Sequence, residues 1–136
     1  MEQQYLTNNE RIEVTILRNL IFNEDYTRKT LPFIDEIYFT KREEKILFQE
    51  IDSFVQKYKN LPTKESILIE LGNRKDINEE EHKIVKELVT SLNNEEIEQQ
   101  WLLDTTEKFC KDRAVHNAVL DGIKILDGKD NKRTQE

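Results

Sequence analysis

The stretch that decides the fold is Glu95 to Leu126, EEIEQQWLLDTTEKFCKDRAVHNAVLDGIKIL. It contains no Pro, and its one Gly is Gly122. Nothing in it matches the alternation or the turn residues of a strand pair, so it reads as one helix of roughly 45 Å at 1.5 Å per residue. At about 100° per residue, Ile97, Trp101, Leu102, Phe109, Val115, Val119, Leu120, Ile123 and Leu126 share one broad side. That side is wide enough to pack on the helices that precede it. Leu103, Cys110, Ala114, Ala118 and Ile125 form a second, narrower stripe at spacings of seven, four, four and seven. Small residues there let another helix approach closely at a near-antiparallel angle. Two readings of the stripe stay open. It is further core, contacted by the helix that runs to Leu92, or it faces something outside the folded monomer. Short helices have difficulty surrounding one so long, and this favours an outside contact for part of the stripe.

The same periodicity extends upstream. Ile12, Ile16, Leu17, Leu20 and Ile21 mark a helix over 10–22, with Asn8 or Asn9 as its cap. Asn23-Glu24-Asp25 interrupts it, and a short helix over 26–31 is stopped by Pro32. Phe33-Ile34 and Tyr38-Phe39 are apolar pairs in an irregular link, expected to plug the core from the side. Thr40 with Glu43 resembles a capping box for a helix over 41–59, lined by Leu47, Ile51, Phe54, Val55 and Tyr58. Thr63 is placed to cap 64–71, where Ile67, Leu68 and Leu71 point inward and Gly72-Asn73 ends the helix. Asn78 with Glu81 opens another helix carrying Ile84, Val85, Leu88, Val89 and Leu92. Gly128 is a natural stop for the last one. The expected fold is all-α: a compact bundle of about six helices ending in a long helix. Its divisions are a flexible N-terminus over 1–8, a folded domain over 9–126, and a flexible tail or start of a linker over 127–136.

Composition agrees and excludes several functions. The 136 residues include only 3 Gly and 2 Pro, about a third of the usual combined share. Lys and Arg number 21 against 28 Asp and Glu, a formal charge of −7. This balance opposes non-specific binding to nucleic acid, which needs clustered positive charge. No run of about 18 apolar residues encodes a membrane helix, and no basic-then-apolar leader precedes the fold. One cysteine cannot form an internal disulfide and fits a reducing cytosol.

Catalytic chemistry is not encoded. Isolated Gly72, Gly122 and Gly128 cannot build a phosphate-binding loop. Cys110 and His116 lie about 120° apart on a helix and do not share a metal, so Cys110 reads as a small core residue and His116 as a surface imidazole. Asp112 and His116 are one turn apart and can pair. Glu79-Glu80-Glu81 and Glu95-Glu96 sit where carboxylates complement helix N-termini, which accounts for them without a metal. Lys41-Arg42 with Lys45, and Arg74-Lys75, read as solvated faces. No catalytic, cofactor-binding or metal-ligating residue is assigned.

Order and spacing of packing residues then suggest a family. Ile16-Leu17, Leu20-Ile21-Phe22-Asn23, Tyr26, Pro32-Phe33 and Tyr38-Phe39 form one half of the pattern. Trp101-Leu102, Thr106-Glu107-Lys108-Phe109, Arg113-Ala114 and Asn117-Ala118 form the other. From about residue 12 to 126 the chain resembles the N-terminal domain of the replicative DNA helicases of T-even-like bacteriophages, which are DnaB-like hexameric helicases.

The resemblance implies a helical collar on a six-membered ring, arranged as a trimer of dimers. The dimers form through a helical hairpin whose first arm corresponds to the long helix. It implies self-association as a dimer or hexamer in the full-length protein and recruitment of primase; the charge and the missing motifs add the expectation of at most weak or indirect contact with DNA, no membrane and no cofactor. The setting would be the host bacterial cytoplasm, with the ATPase motor in a separate RecA-like domain. Leu103, Cys110, Ala114, Ala118 and Ile125 become the candidate protein interface. The sequence stops where the second hairpin arm, linker and motor of the family would follow, which suggests an N-terminal fragment. The alternative is a stand-alone phage adaptor or inhibitor that binds a helicase or primase.

Overall fold

A computed structural model describes residues 11–135 of the chain, and side chains through Gly128. Six helices form among these residues, with no strand: α1 Ile12–Phe22, α2 Glu24–Thr30, α3 Arg42–Tyr58, α4 Lys64–Gly72, α5 Glu79–Ser91 and α6 Gln99–Gln135. Two 3₁₀ turns, Leu31–Phe33 and Glu36–Tyr38, bridge α2 to α3. The proposed caps Asn8 and Asn9 lie outside the described residues. Arg11 occupies the N-cap position of α1 and makes no side-chain cap bond.

The core is built on α1 and α3. Ile16, Leu17 and Leu20 of α1 and Ile46, Leu47 and Ile51 of α3 are fully buried. Each such side chain contributes about 1.5–3 kcal/mol through apolar burial. α3 lies against α1, α4 and α5, while α6 packs mainly on α2, α1 and the second 3₁₀ turn. Local signals account for most boundaries. The Asn23 side chain accepts from the Tyr26 amide and opens α2 one residue after α1 ends. Thr63 with Ser66, and Asn78 with Glu81, each form a reciprocal capping box.

Four expectations need correction. Thr40 does not cap α3: Lys41 stands at the N-cap without a side-chain bond. The long helix starts at Gln99, not Glu95. Glu98 caps it, its carboxylate accepting from the amides of Gln100 and Trp101 at 3.2 and 2.6 Å. Glu95 and Glu96 fall in the preceding link, where Glu95 lies 3.7 Å from Arg18. Gly128 does not stop α6, because no glycine takes a positive φ. A helical Gly costs about 1 kcal/mol relative to Ala and does not by itself break the ladder. Finally, Tyr58 and Ile84 face solvent, and Tyr58 stacks on Phe54 with ring centroids 4.7 Å apart.

The two apolar pairs of the link split rather than both entering the core. Ile34 and Phe39 are buried, Tyr38 is partly buried, and Phe33 is 74% exposed. Each 3₁₀ turn advances about 120° per residue, so adjacent side chains cannot share a direction.

Candidate protein-interaction surface

The first half of α6 is fixed to the domain by three kinds of contact. Leu102 and Phe109 are buried, and the Phe109 ring meets Phe39 at 6.0 Å between centroids. Between them Thr106 is buried, its hydroxyl 2.6 Å from the Tyr26 hydroxyl. Burial pushes the Tyr26 phenol up to about 12, since a phenolate would lose its solvation there.

One turn further, four charges join three helices. Arg11 donates to Glu44 at 2.5 Å and to Glu13 at 2.8 Å, and Arg113 of α6 donates to Glu13 at 3.0 Å. Both carboxylates are buried, yet desolvation outweighs the nearby guanidinium and raises the Glu44 pKa. Arg113 also lies over the Phe109 ring at 5.4 Å. The last tether is Asn117, whose amide donates to the Ile37 carbonyl at 3.3 Å.

Beyond it α6 leaves the domain. Every side chain from Ala118 to Gly128 is exposed. This corrects the expected broad packing side: Leu102 and Phe109 are core, but Trp101, Val115, Val119, Leu120, Ile123 and Leu126 are exposed. The reason is length, because the globular part ends at the second 3₁₀ turn and α6 continues past it. In the free half the two expected stripes merge. Ala114, Val115, Ala118, Val119, Ile123, Ile125 and Leu126 occupy one continuous arc of about 180° at 100° per residue. Asn117 and Lys124 mark the polar side. An arc so broad exceeds the narrow seam of a two-helix contact.

The candidate interface residues divide between the halves. Leu103 and Cys110 are half-buried against the core. They line a groove of about 470 Å³ with Lys29, Thr30, Phe33 and Thr106, and Glu107 and Lys111 stand at its mouth. Burial raises the Cys110 thiol pKa. The neighbours of these two are therefore α2 and the first 3₁₀ turn, with α5 not a principal partner of α6. Ala114, Ala118 and Ile125 stand exposed further along the same helix. Sequence reasoning placed Phe33 in the core and did not single out Ile37; they are 74% and 54% exposed, Phe33 beside Leu103 and Cys110 and Ile37 beside Asn117. For Phe33 the signal was present in its apolar pair, which a 3₁₀ turn must split.

The remaining charged clusters are accounted for inside the fold. Among the described residues no group of three His, Cys, Asp or Glu is placed to hold a metal. Asp112 pairs with Lys108 at 2.7 Å, not with His116. Arg74 is not a solvated residue: it binds Glu50 at 3.0 Å and Asp76 at 2.6 Å. That guanidinium lowers the Asp76 pKa to about 2. No described helix is long and apolar enough to cross a membrane.

A mainly helical body with an exposed apolar arm has close sequence kin. Over 110 residues, 81% of the chain, it is 34% identical to the DnaB-like replicative helicase of Enterobacteria phage T4. The chain is a homologue of DnaB-like replicative helicases. No family model matches it. It spans 23% of the length of that phage helicase, and the all-α fold expected from the family resemblance is the fold observed.

Proposed function

We propose that the chain is the N-terminal assembly domain of a phage replicative helicase, with no catalytic role of its own. In this reading it helps close the ring and docks primase at the fork, while the motor resides elsewhere in the full-length protein. The observation that carries the reading is the free half of α6. In a chain 34% identical over 110 residues to a phage replicative helicase, α6 presents seven apolar residues in one exposed arc. Patches of this kind on an otherwise charged surface mark protein contacts. The negative net charge disfavours DNA as the direct partner, and no phosphate-binding loop occurs in the 136 residues.

Native mass spectrometry of the full-length helicase tests the assembly role. Ala114→Glu with Ala118→Glu places charge in the arc at two exposed positions. The expected outcome is loss of hexamer mass with unchanged helicity of the isolated domain; an unchanged hexamer refutes the reading. The primase role predicts that removing residues 11–128 abolishes helicase stimulation of primer synthesis by the primase of the same replication system.

A further inference from the structure

We infer that the groove between α2 and the C-terminal end of α3 takes the free C-terminus of a partner protein that ends in an aliphatic or aromatic residue. This site is separate from α6 and does not depend on the assembly role proposed above.

The first argument is what lines the groove. A cavity of about 240 Å³ opens between α2, the 3₁₀ turn that follows it and the last turn of α3. Leu31 is buried in its wall, Val55 and Leu61 are half-buried, and Pro32 is exposed. The Thr27 hydroxyl donates to the Leu20 and Asn23 carbonyls at 2.9 and 3.0 Å. An incoming apolar side chain therefore buries no unsatisfied hydroxyl there. The volume lies below the roughly 300–1,000 Å³ of small-molecule sites. It suits the last one or two residues of a chain, not a cofactor.

Charge at the rim is the second argument. Arg28 and Glu24 both stand there and pair with each other at 3.0 Å. Lys59 shares the rim and forms no ion pair among the described residues. Asp52, the next acid back along α3, is held by Gln56 at 3.3 Å and does not line the groove. The Arg28–Glu24 pair cancels, so Lys59 leaves one net positive charge for an incoming carboxylate.

The backbone supplies the third argument. Lys59 has a φ of 59°, and among the described residues no other non-Gly residue has a positive φ. Gly or Asn is the usual residue directly after a helix in this conformation, which a Cβ disfavours. A Lys at that position sets an ammonium group at the rim in spite of the strain. A right-handed residue followed by a left-handed one also brings successive amides together in an anion-binding concavity. The amides of Asn60 and Leu61 come next and donate to no backbone carbonyl among the described residues. An apolar pocket beside free amides and a cation fits the capture of a C-terminal carboxylate.

Two peptide pools test this on the immobilised 136-residue chain. Both hold hexapeptides randomised at the last three positions. One carries a free C-terminal carboxylate and the other is amidated there. Retained peptides are identified by mass spectrometry. The free-acid pool should be retained about tenfold or more over the amide pool, the worth of hydrogen bonds to a charged group. Leucine, isoleucine, valine or phenylalanine should be enriched at the last position.

Lys59→Glu should abolish the preference for the free acid. Lys59→Gly relieves the left-handed position and keeps the turn. It should lower free-acid retention about twofold to fivefold, the worth of one exposed ion pair. In heteronuclear NMR a retained peptide should shift the amides of Asn60 and Leu61 and leave those of Cys110 and Lys111 unmoved. Equal retention of the two pools assigns the groove to an internal apolar segment and overturns the proposal. Shifts centred on α6, or an acid preference that survives Lys59→Glu, overturn it too. Self-association that Lys59→Glu abolishes would give the groove to a second copy, with the same consequence.

Discussion

The two halves of α6 share one helix and comparable apolar content but differ in what holds them. From Gln99 to Asn117 the helix carries a core Leu, a core Phe, a buried hydroxyl pair and an ion-pair network. From Ala118 onward it carries Val119, Leu120, Ile123, Ile125 and Leu126, all exposed. Propensity alone does not separate these segments. The difference lies in whether another element stands opposite, and the domain supplies one only as far as the Ile37 carbonyl. An apolar face thus has two fates, and the unfilled one is the part of this molecule available to a partner.

That contrast can be broken most forcefully in the docked half. Phe109→Ala or Leu102→Ala should destabilise the domain by about 3–5 kcal/mol, measured by urea unfolding followed by circular dichroism. A loss below about 1 kcal/mol would mean that α6 is not part of the cooperative core.

The network comes next. Arg11→Met leaves buried Glu44 without its guanidinium, and Arg113→Met removes the α6 end of the Glu13 pair. Removing one partner of a buried pair costs about 3–5 kcal/mol. Both guanidinium groups here are partly solvated, so about 1–3 kcal/mol is expected. Arg11→Met should cost the more, because Glu44 is the deeper carboxylate.

Tyr26→Phe sharpens the comparison at a single atom. It removes the bond to Thr106 and should cost about 1 kcal/mol. It should also change the alkaline limb of stability. The folded phenol ionises near 12 against an unfolded value of 10.0. Unfolding therefore releases a proton between these pH values, and stability falls as pH rises through that window. The Phe variant should show a shallower decline there in thermal melts.

The smallest stability effect belongs to the free half. Val119→Ser with Ile123→Ser should change the unfolding free energy by less than about 0.5 kcal/mol while weakening self-association in sedimentation. A large loss of stability would show that these residues are core, and the contrast between the halves would vanish.

Much of the architecture was legible without coordinates. The apolar periodicity located five of the six helices, the Asn23-Glu24-Asp25 break and Pro32 framed the short α2, and Thr63 and Asn78 marked their helix starts through caps that are local by nature. The order of the packing residues also pointed to the right family. The interface candidates were legible as a stripe, but their surroundings were not. Leu103 and Ile125 look alike in a helical projection, yet one lies half-buried beside Phe33 and the other is 59% exposed. The ion-pair network of Arg11, Glu13, Glu44 and Arg113 was not legible, although Arg113 stood in the family pattern, because its partners stand as far as 100 positions apart in the chain.

The sequence by itself determined the helices and the absence of strand among the described residues, the lack of a phosphate-loop motif, and the pattern along α6, since these depend on spacings of three to seven residues. Only the tertiary structure decided where α6 leaves the domain. That point depends on how far α1, α2 and the 3₁₀ turns reach along its axis, a length set by packing in three dimensions and not by any local period.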